Sequence, residues 1–270
     1  MSKEQRIIQL AENLAQEFPS ARGGGDVAKA FDEFETPFIV DDFGDEYEGL
    51  LRFENNQFQA FVNSGHPRAA NSNRLNFTAA HELGHYTIPE HNSAIRNGFA
   101  CHKSVSGFHS NEKIEHEADM FASHFLMPEK KLRKFSKTKN WGAQEIISAA
   151  KKFETSITCA ALRCQESLDG NSILLKWGSD GVSWKRRDRE WYFNMRRSTI
   201  QNIDEVLVGT ATYELLHANE RPAEGFIVKG TTKAAWVRSI GHTQDNNDMW
   251  MESAIDLGSY GVLTLLTPLN

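Results

Sequence analysis

Two histidines one helical turn apart, with a glutamate directly after the first, stand at His81, Glu82 and His85 in the stretch N-R-L-N-F-T-A-A-H-E-L-G-H-Y (73–86). Helical residues four apart lie on one face, so both imidazoles can reach a single ion. Glu82 is then rotated to sit beside that ion, where a carboxylate can take the proton of a bound water. This is the donor pattern of a metal-dependent hydrolase, and it asks for one more protein ligand and one open position. The competing reading is a surface helix whose polar face happens to carry two histidines. Gly84 argues against it, because a bare helix position beside the motif predicts another backbone packed close.

A second stretch, N-E-K-I-E-H-E-A-D-M-F-A-S-H-F-L-M-P (111–128), supplies the missing carboxylate. Glu115 and Asp119 are spaced by one turn. Glu115 is the expected third ligand, and Asp119 can accept the other ring N–H of a metal-binding histidine and so fix its tautomer. Glu117 points roughly the opposite way on the helix and ranks second as a ligand. His116 and His124 lie off the Glu115 face and are read as ordinary surface or packing residues. Zinc is the expected ion by ligand type, and Mn2+ or Fe2+ also suits two histidines and a carboxylate. His102, His109 and Tyr86 are candidates by type for stabilising an oxyanion, though solvation or a structural hydrogen bond explains each more simply.

Both motifs need helices to present them. The first helix is expected to begin near Asn73 or Asn76, either of which can cap it, and to end by about Thr87 ahead of Pro89. A long loop is expected over 88–110. The second helix is expected over 111–128, capped by Asn111, ended by Pro128, with Ile114, Ala118, Phe121, Ala122 and Phe125 as its buried stripe. Upstream, 3–18 reads as an amphipathic helix and 27–34 as a short one. P-F-I-V-D-D-F, E-G-L-L-R-F and F-Q-A-F-V-N then read as strands. The last of these, 58–63, is the expected exposed edge on which an extended peptide pairs. Two short helices are expected over 140–167. Beyond Asp169 the pattern is strand-like, with a hairpin signal at Asp180-Gly181 and strands at F-I-V-K-G, A-A-W-V-R-S-I, W-M-E-S-A-I-D-L and Y-G-V-L-T-L-L.

The bulk composition is that of a globular protein: 270 residues, 40% hydrophobic, 24% charged, net charge −6. Nothing in that balance demands nucleic acid or an anionic membrane. Charge is uneven, with nine acidic residues against one Arg over 32–54 and six basic residues without an acid over 130–139. The three cysteines form no C-x-x-C pair, and the charged N-terminus does not read as a signal peptide. A cytoplasmic, reducing location is expected, with no membrane association.

The two motif blocks together resemble the ImmA/IrrE-type metallopeptidases. N-R-L-N-F-T-A-A-H-E-L-G-H (73–85) is similar to that family's R-x-x-F-T-x-A-H-E-x-G-H block. E-H-E-A-D-M-F-A-S-H-F-L-M-P (115–128) is similar to its E-x-E-A-N/D-x-F-A-x-x-L-L-M-P block, with Phe125 replacing the usual Leu. The resemblance covers residues 36–128. It implies an α+β chain with a minimal thermolysin-like (zincin) metallopeptidase domain over 1–135. A short helical, helix-turn-helix-like segment over 136–168 and a β-rich C-terminal domain over 169–270 would follow. It also implies a zinc endopeptidase whose protein substrate is a helix-turn-helix repressor, cleaved to switch on stress-response or mobile-element genes.

Other classes compete. One is a regulator that binds a repressor without cutting it, for which Glu82 would be superfluous; another is a component of a toxin module. A DNA-binding regulator would read bases with the second helix of 140–167, but that helix offers only Arg163 and the chain is acidic. S-W-K-R-R-D-R-E-W-Y-F-N-M-R-R (183–197) mixes cations and aromatics as a single-strand binder would, and an alternating strand explains it equally well.

Overall fold

The computed structural model describes residues 1–66, 72–98, 102–104, 112–136, 141–167, 172–188, 198–201, 204–239 and 248–269. They form a mixed α+β chain of two compact units, Met1–Phe135 with Ala149–Cys159, and Ser136–Ser148 with Ala160–Asn270.

The first unit opens with α1 (Lys3–Glu17), started by a capping box in which Ser2 and Gln5 satisfy each other's backbone N–H. Its buried stripe is Ile7, Ala11, Leu14 and Ala15, at the spacing of one helix face. After α2 (Val27–Glu33) come β1 (Phe38–Asp41), β2 (Gly49–Glu54) and β3 (Gln57–Asn63). With β4 (His102–Ser104) these make a sheet of order β1-β3-β2-β4. β1 runs parallel to β3, whereas β2 is antiparallel to both β3 and β4.

This topology corrects the expected substrate edge. Residues 58–63 lie in β3, paired on both sides, and Phe58, Ala60 and Val62 are buried at period two. An apolar alternation marks a strand with a buried face, but it does not say which strands flank it. Among the described residues the edges of this sheet are β1 and β4.

α3 (Ser72–Thr87) carries the first motif and ends where Pro89 requires. The chain does not then enter a loop, as expected, but starts α4 (Pro89–Arg96). Proline lacks the N–H needed inside a helix, yet at a first helical position that N–H has no partner to lose. Asn73 and Asn76 lie inside α3, and their side chains donate instead to the backbone oxygens of Thr155 and Glu154, at 3.1 and 3.2 Å. α5 (Glu112–Leu126) carries the second motif and buries Ala118, Phe121, Ala122 and Phe125. The expected cap, Asn111, lies outside the described residues. α6 (Glu129–Phe135) follows Pro128, and α7 (Ala143–Lys152) and α8 (Ile157–Ser167) form as two short helices.

The second unit is built on an antiparallel sheet of order β6-β5-β11-β10-β8. Its strands are β5 (Ile173–Gly178), β6 (Gly181–Arg187), β8 (Phe226–Thr232), β10 (Met249–Asp256) and β11 (Val262–Pro268). The β5–β6 hairpin turns through Ser179-Asp180, and Gly181 follows at φ +104°, a conformation that favours glycine. Trp177, Trp236 and Trp250 lead its core. A-A-W-V-R-S-I, expected as a strand, is a helical turn (Lys233–Trp236) followed by β9 (Val237–Ser239), which pairs with β7 (Ser198–Ile200). Of the cation–aromatic segment, 183–187 are in β6 and 189–197 lie outside the described residues. No helix among the described residues is long and apolar enough to cross a membrane.

Candidate metal centre

α3 and α5 meet with their motif faces towards each other. The approach depends on Gly84, where an added Cβ would lie 3.1–3.2 Å from three atoms of Phe121 on α5. The close neighbour is therefore a ring on the ligand helix, not the backbone that the bare position suggested. A larger side chain at Gly84 would separate the helices, at a cost of about 1–3 kcal/mol typical of core overpacking.

At this contact His81, His85 and Glu115 each turn one ligand-type atom towards a shared point, all within 4.8 Å of one another. The two Nε2 atoms are 3.0 Å apart. Glu115 lies 3.1 Å from His81 Nε2 through Oε2 and 3.6 Å from His85 Nε2 through Oε1. Tetrahedral zinc with Zn–N near 2.0–2.1 Å places its donors about 3.3 Å apart, so these three fit such an ion. His81 and His85 are buried, and Glu115 is partly exposed.

The far side of each imidazole is also engaged. His81 Nδ1 is 2.9 Å from Asp119 Oδ1, the contact anticipated from the one-turn spacing. His85 Nδ1 is 3.1 Å from Nδ1 of His91, a residue on α4 that fell within the stretch expected to be loop. With both Nδ1 atoms so engaged, the two Nε2 atoms and a carboxylate face one another, an arrangement that can hold a cation. Burial works against a charge on His81. Hydrogen bonds to Asp119 and Glu115, with the negative charges of Asp119 and Glu82, outweigh it and raise the pKa well above the ordinary histidine value.

Glu82 is completely buried. It lies against β2 at Gly49, where an added Cβ would come within 2.4 Å of Glu82 Oε1 and 2.6 Å of Thr78. Gly49 pairs with Ser104 of the edge strand β4, which ties the carboxylate to the open side of the sheet. The neighbouring Glu48 accepts from Arg74 Nε at 3.0 Å and from its terminal nitrogen, fastening α3 to the start of β2. Arg74 belongs to the first motif block, yet neither its partner nor Gly49 could be read from the sequence, since β2 lies far from α3 along the chain.

Several candidates resolve differently. Glu117 is turned away from the donor cluster, binding Lys3 Nζ at 2.6 Å and His91 Nε2 at 3.0 Å. Burial would raise its pKa, but the Lys3 and His91 contacts lower it. The Tyr86 ring is packed among Phe31, Phe34 and Phe58, with centroids 5.2–6.2 Å away. His124 is buried with Nδ1 3.2 Å from Glu12, and His116 is exposed. The side chains of His102 and His109 lie outside the described residues. Arg163, the one cation offered for base reading, is buried and donates to Glu166 at 2.7 Å.

Residues 38–165 match the family model of Peptidase_M78, described as the IrrE N-terminal-like domain. No curated protein matches the chain by sequence. A solved structure described as a Mycobacterium tuberculosis transcriptional regulator is similar in fold, with a TM-score of 0.59 at 14% identity. The match covers 98% of this chain and 88% of that one. The family match spans both motif blocks and the helices that bring His81, His85 and Glu115 together; through it residues 38–165 are identified as a domain of the ImmA/IrrE metallopeptidase family.

Proposed function

We propose that the protein is a zinc-dependent endopeptidase of minimal thermolysin-like fold, with His81, His85 and Glu115 as ligands and Glu82 as general base. The observation that carries this reading is the convergence of three lone-pair donors beside a buried carboxylate. Zinc there would polarise the scissile carbonyl and lower the pKa of a bound water, and Mn2+ or Fe2+ also fits two histidines and a carboxylate. Glu82, clamped against Gly49, accepts the proton of the attacking water and returns it to the leaving amine. Asp119 holds the His81 ring in the tautomer that leaves Nε2 free. An extended substrate pairs with the edge of β4, the strand hydrogen-bonded to β2 at Gly49.

The substrate proposed is a helix-turn-helix repressor, whose cleavage in the cytoplasm relieves repression of stress-response or mobile-element genes. Family membership and the fold shared with a transcriptional regulator support a role in transcriptional control. In this reading residues 1–135 act as the peptidase domain, 136–168 as a helical connector, and 169–270 as a β-rich accessory domain.

Incubating zinc-loaded protein with the helix-turn-helix regulator encoded nearest to its gene tests the proposal. A discrete cleavage product that disappears in Glu82→Gln is expected. A biological output that survives Glu82→Gln unchanged would instead favour a regulator that binds without cutting.

A further inference from the structure

The His85 side of the site continues into a buried chain of polar groups that ends on the N-terminal helix. His85 Nδ1 lies 3.1 Å from His91 Nδ1, His91 Nε2 lies 3.0 Å from Glu117 Oε2, and Lys3 Nζ lies 2.6 Å from the same oxygen. His85, His91 and Glu117 are all buried. We infer that His91 is a positioning residue for His85, set by Glu117 and Lys3, which presents the His85 Nε2 lone pair to the metal.

The reasoning is one of tautomers. A carboxylate can only accept, so Glu117 requires His91 to carry its proton on Nε2. The Nδ1 of a neutral His91 is then a lone pair, and at 3.1 Å it can accept from an N–H on His85 Nδ1. A neutral ring protonated on Nδ1 has its remaining lone pair on Nε2, the atom that faces His81 and Glu115. Lys3 neutralises Glu117 from the far side, which keeps a carboxylate charged at a buried position and so keeps the direction of the chain. The ring plane of His85 is fixed by the same contacts. Metal histidines commonly gain this support from a carboxylate or a carbonyl. Here a second imidazole is interposed, and the carboxylate stands one residue further out.

This inference rests on the metal reading, and the experiment separates the two. Zinc affinity, from competition with a chromophoric chelator, is compared for wild type, His91→Phe and His91→Gln, alongside the melting temperature of each metal-free protein. Phenylalanine fills the space without a ring nitrogen. Glutamine offers an acceptor and a donor about as far apart as the two imidazole nitrogens. The expected result is a loss of roughly 10-fold to 100-fold in zinc affinity for His91→Phe, with most of it restored in His91→Gln. Wild type that binds no zinc overturns the metal reading and this inference with it. Zinc binding by wild type that is unchanged in His91→Phe overturns this inference alone. If His91→Phe does not fold, nitrogen chemical shifts of zinc-loaded wild type decide the matter. A neutral His91 protonated on Nε2 supports the chain, and an imidazolium at position 91 overturns it.

Discussion

Both units of the molecule bury a carboxylate among polar groups, and they use it in opposite ways. In the C-terminal sheet Glu252 on β10 is fully buried and accepts from both the backbone N–H and the hydroxyl of Thr212, each at 2.7 Å. The Thr212 hydroxyl lies 2.6 Å from that of Thr264 on β11, which accepts from Trp177 Nε1 on β5 at 3.0 Å. Every link there runs from a protein donor to a protein acceptor, and the product is cohesion among three neighbouring strands and the short helix Ala211–Leu216. In the first unit one ligand-type atom of each of His81, His85 and Glu115 faces a shared point, while the outer ring nitrogens of the two histidines contact Asp119 and His91. Buried polar groups that satisfy one another hold a fold together; those that turn ligand-type atoms to one point can hold a cation.

Substitutions can sharpen or break this contrast. The largest expected effect is that of Glu82→Gln, which should lower peptide hydrolysis by about 10²-fold to 10⁴-fold, the range for loss of a general base. Zinc content should stay unchanged; concurrent loss of metal would show that Glu82 supports the ligands and not the chemistry. Asp119→Ala should weaken zinc binding by roughly 10-fold to 100-fold, as removal of a ligand's outer partner does. A titration that detects no change would show the His81 side to be self-sufficient.

In the other unit Thr212→Val should destabilise by about 1–3 kcal/mol, because Glu252 and Thr264 each lose a buried partner. Denaturant unfolding measures this, while zinc affinity should not move. Least in size is the effect of Glu252→Gln. Burial raises the Glu252 pKa, opposed by hydrogen bonds from Thr212, Ala211 and Trp236. A carboxyl with a raised folded pKa contributes stability below its unfolded value, about 4.3 for glutamate, and loses it as pH climbs through the folded value. The melting temperature of Glu252→Gln relative to wild type should therefore improve as pH rises from acidic to neutral. A gap between the two that is constant with pH would mean that Glu252 does not titrate in the folded state.

The donor set was legible because its spacing is local. His81 and His85 are one turn apart, Glu115 and Asp119 are one turn apart, and the burial of Phe121 and Phe125 follows helical period. The five strands of the larger sheet in the second unit are legible from alternation and from turn residues, down to the hairpin at Gly181, whereas A-A-W-V-R-S-I reads as one strand and opens on a helical turn. What escaped was non-local or hidden by a boundary rule. Pro89 reads as the start of a loop, which conceals α4 and with it His91. Asn73 and Asn76 look like caps by type, but their amides serve the backbone at 154–155 instead. β3 looks like an edge from its place just upstream of the motif helix, but neither that place nor an apolar alternation says which strands flank it.

By itself the sequence determined which groups can bind a cation and on which helices they ride, because helical geometry converts spacing into a shared face. Tertiary structure alone decided what stands behind those groups. Gly84 lets α5 approach α3 closely enough for Glu115 to join the histidines, and Gly49 leaves room for the Glu82 carboxylate. His91 of α4 and Glu117 of α5 link His85 to Lys3, more than eighty residues back along the chain. Such contacts depend on distances between elements, and residue spacing along one element carries no information about them.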